Sequence, residues 1–590
     1  MRPQLPLLVS LLQISLSGSV IAGSALAQEP TDALKLADAD YREGVAALNR
    51  NELQTAQSKF ESVVRLAPKA EQGHAALGAV LVREGQWSAG TRELEKALAI
   101  MPGDGAAQLN LAMVYAETGE SKKAIPLFSK LQASAAAEKH PLAASVLSAY
   151  ARAQAATGQT SAAITTMHEA VAQDARNPEL HDELGTLYAL KEDWEPAERQ
   201  FSEAIRLKDG FATAHLHLGF VYQAEQKPEA ASELMRAYEI APDDASIALA
   251  VGKALGDAGN DERAAPILEH AVELDQKSPA AAYQLALVLQ RINRVQEAIG
   301  LLNVVVEKEP ENTDALVNLG MALSQAHQAA DAVPYLQRAI KLDPSNTTAH
   351  QNLAAAYLQI NRIDDAIPEL KAAIKLSPDL AQVHYDLGVA YKLQDDAEDA
   401  IPELEIAKKL SPSGYEPAYV LGLLYMQVAR YPEAAQQLEI ALKLHPENGE
   451  GWATLGSVYN KLDRLPEAAA ALREAIRQLP DQADSHLILA TVLARQNQPA
   501  EAADERKVAA NLMRVHMNLQ RAQVASNSGK SLLAQGKVDE AIVEFRNALA
   551  FDPEFAEAHE GLADAFEKQG KTVEAAAERA QAKSRADSAH

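Results

Sequence analysis

Residues 452–480 read W-A-T-L-G-S-V-Y-N-K-L-D-R-L-P-E-A-A-A-A-L-R-E-A-I-R-Q-L-P, and this stretch decides the fold. It ends at Pro480, and earlier prolines stand at steps of 34 residues: Pro310, Pro344, Pro378, Pro412 and Pro446. A fixed period of this length indicates stacked helical repeats. Small and apolar residues recur at helical spacing on both sides of the polar segment 460–464. Each repeat is therefore predicted to be two helices joined by a tight turn.

Small residues occupy two fixed places in every repeat. With each repeat numbered 1 to 34 and the proline at position 32, sixteen repeats can be counted, and position 8 is Gly in ten and Ala in six. Position 20 is Ala in fifteen repeats and Gly90 in the other. Small side chains allow two helices to approach closely. We therefore expect positions 8 and 20 to form a seam, with larger residues such as Leu455, Tyr459 and Leu472 around it.

These repeats resemble the tetratricopeptide repeat. The resemblance is carried by 452–480 and by G-V-A-Y…A-I-P-E-L-E-I-A…P between Gly388 and Pro412, and it covers nearly everything from Ala37 to the C-terminus. It implies an all-α fold, a right-handed tetratricopeptide superhelix (an α-solenoid) of about 16 helix-turn-helix repeats. It also implies that the first helices of the repeats line the concave side.

The phase of the repeat divides the chain. Residues 37–520 are predicted to hold repeats 1–14, with a phase break near 132–141 where about five residues are inserted. Residues 521–590 are predicted to hold repeats 15 and 16 and a C-terminal capping helix. No Gly or Pro occurs from Ala502 to Ala522, and Val508, Leu512, Val515 and Leu519 recur there at helical spacing. We expect a lengthened helix at this place.

Residues 1–27 are predicted to be a signal peptide. No charged residue stands between Arg2 and Glu29, and Ala25 and Ala27 are the small residues that a cleavage site needs. This interpretation makes the protein an exported bacterial one, periplasmic or secreted, with no membrane span after cleavage. The alternative is an uncleaved anchor in the inner membrane, because the uncharged stretch is long enough to cross a bilayer.

The composition argues against several classes of protein. The chain has 81 Asp and Glu against 55 Lys and Arg, a formal net charge of −26, which is unsuited to nucleic acid. It has no cysteine, and therefore no thiolate metal site or cysteine nucleophile. The triplet 529–531 resembles the end of a phosphate-binding loop, but Val524 stands where that loop needs Gly. We expect no enzyme activity, no catalytic residues and no cofactor.

Histidine recurs at position 4, where it could suggest a ladder of metal sites. Neighbouring repeats are stacked about 8–10 Å apart, however, whereas a zinc–nitrogen bond is about 2 Å long. We therefore predict that these rings pack between repeats and that they bind no metal. The seven residues are His74, His181, His215, His350, His384, His486 and His559.

One face of each first helix is not needed for the core. At 100° per residue, positions 2, 6, 9 and 13 point away from core positions 4, 8 and 11. Asparagine there can both donate to and accept from the backbone of an extended peptide, and tyrosine at position 5 can anchor a side chain. Any single one of them can instead be an ordinary solvent-facing residue. The candidate groove residues are Asn110, Gln284, Asn318, Met321, Gln325, Asn352, Gln359, Tyr385, Asp386 and Tyr419.

The predicted function is a non-enzymatic scaffold that binds protein segments along this groove. Some tetratricopeptide domains hold a carboxylate with Lys or Arg, but Gln382, Tyr385 and Asp386 stand at the corresponding places here. Neutral or basic protein segments are therefore the favoured partners. Two alternatives remain: an accessory subunit of an envelope assembly or polysaccharide-export machine, and a regulatory superhelix that acts with a separate glycosyltransferase. The sequence leaves the partner and the oligomeric state open.

Overall fold

The computed structural model describes residues 32–586, with side chains to residue 583. The predicted signal peptide lies outside these residues. Within them the chain is all-α, with 31 helices and no strand. The helices fall into two compact units, divided between Pro310 and Glu311. The predicted division of the repeats at residue 520 remains a prediction.

The first unit contains sixteen helices. They are α1 (Asp32–Asn49), α2 (Leu53–Leu66), α3 (Glu71–Arg83), α4 (Trp87–Ile100), α5 (Gly105–Glu117), α6 (Ser121–Glu138), α7 (Ala144–Ala156), α8 (Thr160–Gln173), α9 (Pro178–Ala189), α10 (Trp194–Leu207), α11 (Ala212–Ala224), α12 (Ala230–Ile240), α13 (Ala245–Asp257), α14 (Asp261–Leu274), α15 (Pro279–Arg291) and α16 (Val295–Lys308). Each helix packs mainly on the next one along the chain.

The second unit contains the other fifteen helices of the described chain. They are α17 (Thr313–Gln325), α18 (Ala329–Leu342), α19 (Thr347–Gln359), α20 (Ile363–Leu376), α21 (Ala381–Leu393), α22 (Ala397–Leu410), α23 (Tyr415–Gln427), α24 (Tyr431–Leu444), α25 (Gly449–Lys461), α26 (Leu465–Gln478), α27 (Ala483–Arg495), α28 (Pro499–Ala534), α29 (Val538–Phe551), α30 (Ala556–Lys568) and α31 (Thr572–Ala586). Successive hairpins stack in the same way as in the first unit.

A single left-handed residue turns the chain between the two helices of every repeat. Position 15 has φ between 56° and 81° in all sixteen repeats. The next residue then returns a backbone hydrogen bond to the end of the first helix, as Arg464 N does to the Tyr459 carbonyl at 2.9 Å. This geometry explains why Gly, Asn and Asp are frequent in the polar break that the sequence shows.

The seam predicted at positions 8 and 20 is present and tightly packed. A Cβ atom added to Gly388, Gly422 or Gly456 would lie 2.5–2.6 Å from the Cγ atom of the leucine at position 24. Those leucines, at 404, 438 and 472, are fully buried. In these three repeats, glycine at position 8 is therefore required by the close approach of the second helix.

The position-4 histidines are buried in the stack, and both ring nitrogens contact oxygen atoms. In six of them Nδ1 lies 2.5–2.7 Å from a glutamate oxygen on the second helix of the same repeat. Nε2 lies 3.0–3.2 Å from a backbone carbonyl at position 32 of the preceding repeat. Trp452, which takes the same position, donates Nε1 to the Pro446 carbonyl at 2.9 Å. The rings therefore contact both their own repeat and the preceding one, which confirms the prediction that they pack between repeats.

Replacing His384 with leucine should lower the free energy of unfolding by about 2 kcal/mol, since the Glu403 carboxyl group and the Pro378 carbonyl both lose the ring that bridges them. His384 contacts Glu403 at 2.6 Å and the Pro378 carbonyl at 3.0 Å. The matched variant is Glu403→Gln, because Gln200 naturally fills this place beside His181 at 2.8 Å. It should cost less than His384→Leu. Urea unfolding followed by circular dichroism measures both, and an equal loss in the two variants would contradict the bridging role.

Three departures from the regular phase appear as changes of helix length. The insertion near 132–141 lengthens α6 to 18 residues, whereas regular second helices have 14. Repeat 6, which lacks one residue, has a second helix, α12, of only 11 residues. The lengthened helix predicted over 502–522 is confirmed as α28, which has 36 residues and joins the second helix of repeat 14 to the first helix of repeat 15.

Candidate functional site

The candidate groove residues lie on the first helices, but they are not equally accessible. In the second unit Asn318, Met321, Asn352, Tyr385, Asp386 and Tyr419 are half-buried, and Gln325 and Gln359 are exposed. Gln284 is a half-buried residue of the first unit. The structure thus places eight of the ten in one unit.

Asn110 needs a correction. It was expected to face a partner, but it is only 2% exposed. The helix that carries it, α5, packs against both α3 and α7. Helical periodicity gives the direction of a side chain and not the space around it, so we leave Asn110 out of the candidate surface.

The two asparagines of the second unit differ in their hydrogen bonds. Asn318 donates from Nδ2 to the backbone carbonyl of Asp314 at 2.8 Å. The amide nitrogen of Asn352 is buried and has no hydrogen-bond partner among the described residues. An unsatisfied buried donor costs free energy, and rotation of the amide toward an incoming carbonyl would satisfy it. Asn352 is therefore the better candidate for binding a peptide backbone.

The side chain of Asp386 is half-buried, and burial disfavours the ionised form of its carboxyl group. It accepts a hydrogen bond from Gln382 Nε2 at 2.8 Å. Burial raises the pKa of Asp386 to about 6, and the bond from Gln382 only partly opposes this. Burial also raises the pKa of its neighbour Tyr385, helped by the negative charges of Glu416 and Asp386. The local charge is therefore negative and not neutralised.

Tyr419 belongs to an aromatic pair that the sequence analysis missed. Its ring stacks on Tyr415 with centroids 5.4 Å apart and planes 15° apart. Asn448 donates from Nδ2 to the Tyr415 hydroxyl group, and His445 meets the Tyr415 ring edge-on at 4.6 Å. The spacing of four residues on one helix was the available signal. The pair gives this surface a broad, fixed aromatic patch.

Tyr419 also lines a cavity of about 600 Å³ in the second unit. The walls are α23, α25 and α27, and the long helix α28 contributes Leu512, Met513 and His516. No lysine or arginine is among the lining residues of this cavity. The sequence analysis predicted that this helix is lengthened, but not its place beside the first helices of repeats 12 to 14.

The described residues contain neither a metal site nor a helix that could span a membrane. No group of three or more His, Asp or Glu side chains in residues 32–586 has the arrangement needed to hold a metal ion. None of the described helices combines the length and the hydropathy needed to cross a bilayer.

Comparison with known families decides the class of the protein. Models of the tetratricopeptide repeat match residues 81–144, 255–322, 323–385, 419–483 and 461–510, and a further TPR repeat model matches 529–570. The chain belongs to the tetratricopeptide repeat family. A tetratricopeptide array of this kind supports the general function of a protein–protein interaction scaffold. The resemblance found in the sequence is thereby confirmed.

Solved tetratricopeptide structures are similar to parts of the chain. YrrB, described as a TPR protein with an unusual peptide-binding site, is 26% identical, with 32% of this chain and 98% of YrrB covered at a TM-score of 0.29. The APC/C hetero-tetramer Cut9–Hcn1 is 17% identical, with 84% of this chain and 96% of the matched chain covered at a TM-score of 0.33. MamA from Desulfovibrio magneticus RS-1 is 22% identical, with 29% of this chain and 96% of the MamA chain covered at a TM-score of 0.28. No curated protein sequence matches the chain.

Proposed function

We propose that the second unit binds extended, neutral or basic protein segments along the first helices α17, α19, α21 and α23. The observation that carries this proposal is Asp386, whose carboxyl group is partly buried in that surface with its pKa raised by burial to about 6. Among the described residues no lysine or arginine forms an ion pair with it. A cationic side chain of a bound segment would supply the missing charge.

The surroundings of Asp386 support the same class of partner. Asp314, Glu416 and Glu450 are exposed at position 2 of their repeats, on the same face of the first helices. Opposite charges across an interface steer encounter and select the partner. The amides of Asn318 and Asn352 and the rings of Tyr385 and Tyr419 add backbone-binding groups and aromatic anchors.

Selection from a phage-displayed library of random peptides tests the proposal. Selected peptides should be enriched in lysine and arginine and depleted of aspartate and glutamate. The triple variant Asn352→Ala, Tyr385→Ala, Asp386→Asn should bind them at least about tenfold more weakly. The matched control is Asp331→Asn with Glu398→Gln, which removes exposed acids from second helices. Equal binding by wild type and triple variant, or enrichment of acidic peptides, would refute the proposal.

The binding of selected basic peptides should also depend on pH. Asp386 titrates near pH 6 in the free protein, so its negative charge is present above that pH and lost below it. Affinity should therefore fall between about pH 7.5 and about pH 5, and the fall should be smaller in Asp386→Asn. Anisotropy of a labelled selected peptide measures both. An identical pH profile in the variant would show that Asp386 is not in contact with the ligand.

We also propose that the protein is exported from the cytoplasm, because residues 1–27 have the pattern of a signal peptide. Mass spectrometry of the protein purified from its native cells should find a mature N-terminus at Gln28. Recovery of an intact leader in the membrane fraction would favour the anchored alternative instead.

A further inference from the structure

The cavity beside α28 is lined by two chemically different sets of residues, which we call its apolar side and its acidic side. The apolar side consists of Met426, Ile488, Leu512 and Met513, and the acidic side consists of Glu450, Asp481 and Asp484. Met513 is 43% exposed although it is large and apolar. A volume of about 600 Å³ lies within the range of sites that take a small ligand or a few side chains. Methionine is flexible and polarisable, so it can adapt to different aliphatic groups.

The acidic side carries charge that no described cation neutralises. Glu450, Asp481 and Asp484 line the cavity and are exposed, and none of them forms an ion pair with another described residue. The other polar lining groups are neutral hydroxyl and amide side chains, together with His516. Charge complementarity therefore favours a cationic group on this side.

The cavity exists because the repeat phase breaks. In a regular repeat the second helix has 14 residues and turns back at its end. In α28 the helix runs on for 36 residues, since neither Gly nor Pro interrupts 502–522. Its middle turns carry Leu512 and Met513 to the surface formed by α23, α25 and α27. The fourth wall of the cavity is thus a feature of this chain and not of the repeat.

We propose that this cavity binds a short extended segment of a partner protein in which a lysine or arginine adjoins a large aliphatic residue. The cationic group lies between Glu450 and Asp484, and the aliphatic side chain lies between Met426 and Met513. This inference rests on the proposed function, since it extends the peptide-binding surface of the same unit beyond α23, to α25, α27 and α28. Neighbouring side chains of an extended segment point in opposite directions, so adjoining cationic and aliphatic residues can contact different lining residues.

Fluorescence anisotropy with defined peptides tests the inference on the whole mature chain. The probe is a labelled peptide that alternates lysine and leucine, and the comparison peptides replace leucine by serine or lysine by glutamate. The lysine–leucine peptide should bind at least about tenfold more tightly than either comparison peptide. Raising NaCl from about 0.15 M to about 0.5 M should weaken it, because the acidic side chains are solvent-accessible.

Two variants test the acidic side and the apolar side of the cavity independently. Glu450→Gln with Asp484→Asn should weaken the lysine–leucine peptide at least about tenfold and reduce its salt dependence. Met513→Ser should weaken that peptide while leaving the weaker lysine–serine peptide unchanged. These residues are exposed, so the variants should fold, which circular dichroism checks. The matched controls are Asp331→Asn with Glu398→Gln for charge, and Val543→Ser, an exposed apolar residue of α29, for the apolar change.

The outcomes distinguish this inference from the function on which it rests. Equal affinity of the lysine–leucine peptide for wild type and both cavity variants overturns the cavity site. If the triple variant at 352, 385 and 386 alone abolishes binding, the cavity site is overturned while the proposed function stands. If no basic peptide binds the wild-type chain, both are overturned. Equal binding of the lysine–serine and lysine–leucine peptides overturns the aliphatic half of the assignment.

Discussion

Replacing Gly388 with leucine should lower the free energy of unfolding by about 3 kcal/mol, at the upper end of overpacking effects. A Cβ atom at 388 would lie 2.5 Å from Leu404 Cγ and 3.2 Å from the Ala400 carbonyl oxygen. Leu404 is fully buried and Cγ is close to its backbone, so the neighbour has no space into which to move. Even the first added carbon must therefore separate α21 from α22.

Gly300 offers a matched control for this change. It lies in a second helix, α16, and a Cβ atom there meets nothing within 4 Å. Gly300→Leu should leave stability unchanged or raise it by up to about 1 kcal/mol, because leucine favours the helix more than glycine does. Urea unfolding measures both variants, and hydrogen exchange should show faster exchange in α21 and α22 for the first only. Similar losses for both glycines would mean that the seam is not the cause.

Glu71 should make the stability of the chain depend on pH. It lies in the first turn of α3 and is 5% exposed. Burial raises the pKa of Glu71 to about 7 from an ordinary 4.5, with a hydrogen bond to Asp104 and the charge of Asp104 as further causes. Asp104 is itself fixed, since it caps α5 by accepting from Ala106 N at 2.9 Å. The protonated Glu71 carboxyl group can donate to it, whereas two carboxylates repel each other.

The sign of the effect follows from the protons that each state binds. Between about pH 4.5 and about pH 7 the folded chain keeps a proton on Glu71 that the unfolded chain loses. The contribution of Glu71 to the free energy of unfolding therefore falls as the pH rises through this window and is level above it. Glu71→Gln keeps a donor toward Asp104 at every pH and should remove this fall.

The measurement is the difference in free energy of unfolding between Glu71→Gln and wild type, from urea unfolding at several pH values. The difference should grow from about pH 4.5 to about pH 7 in favour of the variant. Glu262→Gln, an exposed glutamate in the first turn of α14, is the control and should show a flat difference. A flat difference for Glu71→Gln as well would show that its proton is lost at an ordinary pH.

The helices and their seams could be predicted from the sequence because the interactions that make them are local. Gly388 and Leu404 are sixteen residues apart, and His384 and Glu403 are nineteen apart, so one repeat already contains both partners. The 34-residue period then applies the same contacts to each repeat. The spacing between repeats was also sufficient to predict that the position-4 histidines pack between repeats and do not form a ladder of metal sites.

The candidate surface could be predicted only in part. Helical periodicity identified the face that carries Asn352, Asp386 and Tyr419, but it placed Asn110 on the same face although that residue is buried. The aromatic partner Tyr415 was not predicted, because position 1 lies outside the face defined by positions 2, 6, 9 and 13. Direction on a helix is a local property, whereas accessibility depends on how closely the neighbouring helices approach.

The sequence by itself determined the helical repeat, the small residues of its seam, the tight turn between its helices and the lengthening of α28, since each depends on residues near one another in the chain. Only the tertiary structure decided which position-6 side chains stay accessible and that α28 meets Tyr419 and Met426, about ninety residues earlier, around a cavity. The physical reason is that small packing angles between successive helices add up over several repeats. A local sequence pattern therefore does not predict where α28 lies relative to the earlier helices.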